Sequence, residues 1–361
     1  MNKKLLALLL AILMVAVSAC AMAETDPESG STTPPSYSDS LYKDGVAVGG
    51  FDADTGRLTI PKAYVLEGAG TSPAETFKFT VTPLNGAPAD LVTKFNEPVF
   101  FDKGAASVPE TSDGATTYTT ANLVLEIGEI TDVAPGKYEY KIEETASNNQ
   151  GVTTITDAMK LVVTVVTNPD GTKARVIALH QGNNKVTQLT GNTYTANKIT
   201  IDKDVAGLMG NRKEDFKVTV TLNAETKKVI NIDNLVLPNG AVANPNSGSE
   251  AEVTISGITV SHDVDAEIGN VPAGTTYTVA ENLTDDQKNV YDTPVIVYGD
   301  DANAVNATMG SAAQTVKITN TAKTTTIDTG VNTDNTPYIL LMALVAIMAL
   351  AFVAKKRSVR E

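Results

Sequence analysis

Cysteine is nearly absent: the 361 residues include one, Cys20, and it lies near the N-terminus in a segment expected to be removed. A mature chain without it cannot form disulfides. Histidine is also scarce, with His180 and His262 far apart. No Ser/His/Asp set, Cys/His cluster or glycine-rich phosphate loop can be assembled from the residues present. We therefore expect no enzymatic activity, no cofactor and no metal.

Basic residues are outnumbered: 28 Lys and Arg against 42 Asp and Glu give 28 − 42 = −14. Such a chain offers nothing to nucleic acid. Aromatic residues make up 5% of the chain, and there is no Trp. Short stretches with apolar and polar residues in alternation, separated by Gly, Pro and Asn, are abundant, whereas long amphipathic helices are hard to find. The pattern predicts an all-β protein, and the length favours two domains.

The N-terminus has the pattern of a secretory signal peptide over residues 1–23. Two lysines precede an apolar run, and Ala21-Met22-Ala23 fits the small-residue cleavage pattern. An alternative is a lipobox-like stretch that ends in an acylated Cys20. The Ser-, Thr- and Pro-rich residues 24–42 are predicted to be a flexible leader.

The C-terminus has the pattern of a membrane anchor. Residues 338–354 are apolar and, at 1.5 Å per residue, span about 25 Å as a helix, near the lower limit for crossing a bilayer. The basic tail, 355–361, is a stop-transfer signal that stays in the cytoplasm. We expect an exported chain that is held at its C-terminus, with residues 323–337 as a linker before the anchor.

Between these ends the chain repeats itself. "LTIPK" returns as "ITIDK", "FKFTVT" returns as "FKVTVT", and "VAPGKYEYKIEE" returns as "VPAGTTYTVAE". The repeat predicts two domains of one fold, 43–198 and 199–322. No Pro/Gly linker separates them, so the last strand of the first domain is expected to run almost straight into the first strand of the second.

Each repeat places polar residues on its apolar strand faces, where unpaired charges are rarely buried. In "GKYEYKIEE" the period of two puts Glu144 on the same face as Tyr138, Tyr140 and Ile142. Both copies have such residues in the order Lys, Glu, Asn: Lys62, Glu144 and Asn197, then Lys203, Glu281 and Asn320. The alternation around Asn197 is weaker, because Thr193 and Thr195 share its face. The recurrence of three residue types in one order makes fraying at strand ends a poor explanation.

These motifs resemble the Gram-positive major pilins of the T-antigen (FctA) type. The resemblance covers nearly the whole mature chain and includes "PGKYEYKIEE", "YTVAEN", "ITIDKDVAG" and the "TGV…PYILL" tail. It implies two immunoglobulin-like (CnaB-like) β-sandwiches, each with an internal isopeptide bond, Lys62–Asn197 and Lys203–Asn320. Glu144 and Glu281 would be the acids that assist autocatalytic bond formation. The implied function is the shaft subunit of a sortase-assembled pilus on the Gram-positive cell surface.

The resemblance also implies a sorting signal and an acceptor lysine. The signal is "TIDTG", with cleavage between Thr329 and Gly330, although Asp328 stands where these pilins have Pro. The acceptor is Lys185, and the nearest rivals are Lys198 and Lys173. The implied partners are a pilin-type sortase and other copies of the chain head to tail, with minor pilins or a tip adhesin as further candidates. The alternative is a monomeric, wall- or membrane-anchored adhesin with the same self-linked domains.

Lys198 and Lys173 are the two rivals to Lys185 as the lysine that joins subunits. Lys185 in "GNNKV" is preferred because it matches the position that the resemblance implies, although the stretch from Lys185 to Asn197 is longer than in the pilins that the chain resembles. Their surroundings in the folded domain are therefore informative.

Overall fold

The computed structural model describes residues 35–68, 70–100, 110–112, 115–246, 248–301, 303–323 and 340–349. The signal peptide with Cys20, the sorting motif 326–330 and the basic tail lie outside these ranges. The described residues of the first domain form sixteen strands: β1 (Ser40–Lys43), β2 (Val46–Ala47), β3 (Phe51–Asp52), β4 (Arg57–Ile60), β5 (Lys62–Gly68), β6 (Glu75–Thr76), β7 (Phe79–Leu84), β8 (Val92–Asn96), β9 (Val99–Phe100), β10 (Glu110–Ser112), β11 (Ala115–Thr119), β12 (Leu123–Ile127), β13 (Gly136–Glu144), β14 (Met159–Thr167), β15 (Lys173–Gln181) and β16 (Asn184–Val186).

One long strand, β17 (Leu189–Ala206), belongs to both domains. The second domain adds β18 (Phe216–Asn223), β19 (Val242–Asn246), β20 (Ser249–Val260), β21 (Ala266–Pro272), β22 (Thr276–Glu281), β23 (Val295–Tyr298), β24 (Ala307–Thr308) and β25 (Gln314–Thr321). It also contains a 3-10 turn (Ile232–Asn234) and a short helix, α1 (Asp285–Val290). Thr284 and Gln287 form a capping box that starts α1.

Two layers of strands enclose the first core. One sheet has the order β2-β1-β15-β14-β13-β7, with β16 beside β15; facing it are β3-β4-β12-β8 and the β10-β11-β5-β17 part of another sheet. The apolar face predicted for β13 packs into this core, with Tyr140 and Ile142 buried and Lys141 and Glu143 exposed. Alternation with a period of two therefore accounts for the layer.

The second domain has the same construction. Its β19-β20-β18-β22-β24 sheet faces the part of the shared sheet formed by β17, β25, β23 and β21. A separate apolar core, with Phe216, Ile255 and Ile318 among its buried members, fills the space between them. The prediction of an all-β chain with two tandem sandwiches is confirmed.

The first domain starts earlier than the sequence indicated. Residues 40–42 were assigned to the leader, but β1 begins at Ser40 and pairs in parallel with β15. Leu41 is buried in the first core, and Asp39 accepts a hydrogen bond from the backbone of Arg175 at 2.6 Å. This one apolar side chain was too weak a signal within a Ser-rich segment.

The predicted membrane segment is described in part. Residues 340–349 are helical and their side chains are exposed. Among the described residues, no helix combines the length and the apolar character needed to cross a membrane. The remaining residues of the predicted segment lie outside the described ranges.

Candidate functional site: two buried Lys-Glu-Asn clusters

Lys62 is the first residue of β5, and its side chain is fully buried in the first core. Its Nζ contacts Oδ1 of Asn192 and lies 4.0 Å from Oε1 of Glu144, whose side chain is also buried. The ring of Phe77 covers the amine, with Nζ 3.9 Å from the ring centroid. Burial lowers the pKa of Lys62 to about 7, although the charges of Glu144 and Glu75 oppose this shift. A substantial fraction of this amine is therefore neutral near physiological pH.

Asn192 links the lysine to the glutamate. Its Nδ2 donates to both carboxylate oxygens of Glu144, at 2.9 and 3.0 Å, and to the backbone oxygen of Thr153 at 2.9 Å. Glu144 also accepts a hydrogen bond from the backbone N–H of Ile155 at 2.7 Å. The amide is thus oriented with its oxygen toward the amine and its nitrogen toward the carboxylate.

The structure corrects the asparagine predicted for this cluster. Asn197 lies five residues further along β17, where β17 has passed the end of β5, since Ala196 pairs with Gly68. Its Nδ2 donates to the backbone oxygen of Ser311 in the second domain, 3.1 Å away. Asn197 cannot reach Lys62, because Leu189 is the residue of β17 that pairs with Lys62.

Asn192 had a recognisable signal in the sequence. In "NTYTAN" it shares a face with Tyr194 and Ala196, which are buried, whereas Asn197 shares a face with the threonines. A register shift between Leu189 and Asn192, at Gly191 with φ +108°, lets both Leu189 and Asn192 face the core although they are an odd number of residues apart. The two-residue period therefore identifies Asn192 when it is followed back from Tyr194 and Ala196, but not when it is followed forward from Leu189.

The second cluster has the same plan. Lys203 and Asn320 are fully buried, and Lys203 Nζ lies 3.3 Å from Oε1 of Glu281. Burial raises the pKa of Glu281, while Lys203 and the Asn320 amide oppose the increase. Burial also lowers the pKa of Lys203, against the attraction of Glu281. The ring of Phe216 covers the amine at 4.4 Å from its centroid.

The two clusters occupy equivalent positions in their sheets. Asn192 pairs with Tyr64, two residues after Lys62, and Asn320 pairs with Val205, two residues after Lys203. In both cases the paired strands are parallel. The phenylalanines were not predicted as site residues, yet they begin the repeated "FKFTVT" and "FKVTVT" motifs. The repeat itself was the signal that could have identified them.

Buried polar atoms in the second cluster lack partners among the described residues. Oε2 of Glu281 and both amide atoms of Asn320 are inaccessible to solvent and make no hydrogen bond of good geometry there, whereas Oε1 of Glu281 is paired with Lys203. Leaving such groups unpaired costs about 1–3 kcal/mol each. A covalent bond from Lys203 to Asn320 would replace a buried amine and a buried primary amide with one secondary amide that joins the two side chains.

The three candidate acceptor lysines differ in their surroundings. Lys185 is exposed on the short edge strand β16, opposite His180, and its Nζ makes no hydrogen bond or ion pair with any described residue. Lys173 donates to the carbonyl oxygens of Thr131 and Val133 at 2.7 and 2.8 Å. Lys198 pairs with Glu267 at 2.5 Å. Lys185 is therefore the most accessible of the three amines.

Comparison with known proteins bears on this site. Residues 60–196 match a family described as the Spy0128-like isopeptide containing domain, and residues 197–326 match a domain of unknown function, DUF7601. A curated relative, a pilin of Streptococcus pyogenes serotype M1, is 27% identical over 253 residues, 66% of this chain and 73% of the relative. The resemblance to FctA-type pilins is confirmed. The match to the isopeptide domain covers Lys62, Glu144 and Asn192, and it ends one residue before Asn197.

Solved structures of major pilins from Streptococcus pyogenes are also similar to this chain. The crystal structure of the major pilin from Streptococcus pyogenes is 20% identical, with a TM-score of 0.43 over 73% of this chain and 98% of that chain. The major pilin T3.2 from serotype GAS13637 is 16% identical, with a TM-score of 0.44 over 75% of this chain and 99% of that chain.

Proposed function

We propose that this chain is the structural shaft subunit of a sortase-assembled pilus, stabilised by internal isopeptide bonds between Lys62 and Asn192 and between Lys203 and Asn320. The observation that carries the proposal is the pair of equivalent buried clusters, each with an amine, a carboxamide and a carboxyl group. No turnover follows, because each cluster reacts once and is consumed. The chain is therefore proposed to be a structural protein and not an enzyme.

The chemistry follows from burial and proximity. The neutral Lys Nζ attacks the Asn side-chain carbonyl carbon, a C–N bond forms, and the bond to Nδ2 breaks with loss of ammonia. One amine proton must pass to the leaving nitrogen, and the Glu carboxyl group beside both atoms can transfer it. The effective molarity of the amine is high, because packing of the core holds it in contact with the amide.

Assembly would use the C-terminal carboxyl group of one subunit and Lys185 of the next. A sortase would cleave after Thr329 and transfer that acyl group to the exposed amine of Lys185. If Asn192 is the bonded asparagine, the stretch from Lys185 to it is 192 − 185 = 7 residues long, whereas the stretch to Asn197 is 197 − 185 = 12. The corrected pairing therefore shortens the stretch that was longer than the resemblance implies. Head-to-tail contacts between different surfaces do not close on themselves, so repetition makes a fibre.

Asp328 within the sorting motif favours a second candidate, the monomeric surface adhesin with the same self-linked domains. An immunoblot of boiled cell-wall extract from the native host distinguishes the two, because a shaft gives a ladder of high-mass bands and an adhesin gives one band. Lys185→Ala should abolish the ladder, with Lys173→Ala and Lys198→Ala as matched controls. A ladder that survives Lys185→Ala would rule out this acceptor.

The internal bonds have their own test. The intact mass of residues 24–323 should fall short of the sequence mass by two ammonia molecules. Peptide mapping should locate the bonds at Lys62–Asn192 and Lys203–Asn320. A mass equal to that of the sequence would refute the self-linking proposal, whatever the result of the immunoblot.

A further inference from the structure

The segment directly after Glu144, residues 145–155, completes the first cluster; we name it the strap. Its Thr153 carbonyl accepts a hydrogen bond from Asn192 Nδ2 at 2.9 Å. The backbone N–H of Ile155 donates to Glu144 Oε2 at 2.7 Å. The strap therefore fixes the orientation of both the amide that would lose ammonia and the carboxyl group that would move the proton.

The first domain anchors the strap at several places. Glu75 Oε2 accepts hydrogen bonds from Ser147 Oγ at 2.7 Å and from Asn149 Nδ2 at 2.8 Å. Further along, Val152 pairs with Tyr194 of β17, and the backbone N–H of Thr153 donates to the carbonyl oxygen of Thr193 at 2.9 Å. Other backbone carbonyls of the strap bond to the second domain.

The second domain supplies the partners for these carbonyls. Lys228 Nζ donates to the backbone oxygens of Ser147 at 2.7 Å and Val152 at 3.3 Å. Val229 exchanges two backbone hydrogen bonds with the strap, from Gln150 N and to Asn148 O, each 2.8 Å. A charged donor shared among carbonyls forms stronger hydrogen bonds than a neutral one.

Gln150 makes the reciprocal contact from the strap to the second domain. Its side chain is buried, and Nε2 donates to the carbonyl of Ala273 at 2.6 Å while Oε1 accepts from the backbone N–H of Glu225 at 3.0 Å. Both polar ends of the side chain are thus satisfied by the other domain. The strap is held from two sides, and one side is not part of the domain whose cluster it completes.

We propose that Lys228 and Gln150 are positioning residues for the Lys62–Asn192 bond, so that docking of the second domain completes the reactive geometry of the first. This inference rests on the proposed self-linking function. Small displacements of reacting groups slow intramolecular reactions steeply. A strap without its second-domain partners leaves Thr153 and Ile155 less firmly placed against the amide and the carboxyl group.

The test follows both bonds in time. Residues 24–323 are isolated unfolded in guanidinium from inclusion bodies, refolded by dilution, and sampled for intact mass and peptide mapping. Lys228→Met and Gln150→Met each remove polar contacts while keeping side-chain length. Each should slow formation of the Lys62–Asn192 bond by about tenfold or more, with the Lys203–Asn320 bond forming at the wild-type rate. Lys213→Met, at an exposed lysine of the same domain, should change neither rate.

The outcomes separate this inference from the function on which it rests. Wild-type protein that never loses ammonia refutes the self-linking function itself. Wild-type protein that forms both bonds, with variants that form the first bond equally fast, overturns the role of Lys228 and Gln150. Equal slowing of both bonds also overturns it, because the substitutions would then act on folding of the whole chain.

Discussion

At the scale of single residues, each cluster combines an amine, an acid and an amide that would be costly to bury alone. Desolvation of an ammonium ion is expensive, and in the first cluster it lowers the pKa of Lys62 to about 7. The faces of Phe77 and Phe216 offer attraction to the residual positive charge. A covalent amide removes the charge altogether, so the proposed product suits this environment better than the separate side chains.

Substitution of the two candidate asparagines tests the corrected pairing directly. Relative to its own sequence mass, Asn192→Ala should be short by one ammonia instead of two, whereas Asn197→Ala should still be short by two. Loss of a link that closes 130 residues should also reduce the free energy of unfolding by about 5 kcal/mol. Intact mass and denaturant unfolding measure the two effects. An ammonia restored by Asn197→Ala would favour the original pairing.

The pKa of Lys62 sets a pH dependence for the first bond. The neutral amine is the nucleophile, and below a pKa of about 7 its fraction falls about tenfold for each pH unit. The rate of Lys62–Asn192 formation during refolding should therefore rise with pH up to about 7 and level off above it. Timed intact-mass measurements across this range give the profile. A rate that is flat or falls with increasing pH would contradict attack by the neutral amine.

At the scale of secondary-structure elements, β17 serves both clusters. Its first half carries Asn192 and pairs with β5, and its second half carries Lys203 and pairs with β25. This one strand of 18 residues therefore carries both the asparagine proposed to react in the first domain and the lysine proposed to react in the second. The bulge at Gly191 directs Asn192 inward. Gly191 has a φ of +108°, which residues other than glycine rarely adopt.

Gly191→Ala tests the importance of this bulge. A Cβ at this position would meet nothing closer than 3.8 Å, so any effect comes from the backbone conformation and not from a clash. We expect the substitution to shift the bulge and slow Lys62–Asn192 formation by about tenfold, with the second bond unaffected. Gly182→Ala is the matched control, since Gly182 has φ +59° in an open hairpin turn. Equal rates in both variants would show that the bulge does not position Asn192.

The strands and the clusters were predictable to different degrees. Alternation in "GKYEYKIEE" predicts β13 and the inward side of Glu144, and the repeat predicts the second sandwich. The bulge at Gly191 was not predictable from a two-residue period, because one extra residue reverses which side chains face inward. Contacts between domains, such as Lys228 with the strap, carry no local pattern at all.

At the scale of the whole molecule, the two proposed bonds define a short covalent path. When the chain is pulled from its two ends, tension would enter at Lys62, cross to Asn192, follow β17 to Lys203 and cross to Asn320. The backbone on this path between the bonds, from Asn192 to Lys203, is already extended in β17. In this pulling geometry the residues enclosed by each bond would carry no load.

Single-molecule pulling between the two ends of residues 35–323 measures this path. Wild-type protein should show no unfolding of the two segments that the bonds enclose, residues 62–192 and 203–320, whereas β1 to β4 lie before Lys62 and can still detach. Asn192→Ala should release 130 residues in one step, about 45 nm at about 3.5 Å per residue. Asn197→Ala should behave as wild type. A 45 nm step in wild-type protein would mean that the first bond is absent.

The strap has a consequence for biosynthesis. Lys228 lies 76 residues after Val152 and 36 residues after Asn192, so it is made and exported later than every member of the first cluster. Under the proposed function the N-terminus leaves the cell first, and the first sandwich would then form its link only slowly until the second domain has followed and folded. Extracellular proteases and shear would therefore act on a first domain that still lacks its covalent link while the rest of the chain is being exported. A subunit whose export stalls midway would remain easy to degrade, whereas a fully delivered subunit would close both links and persist.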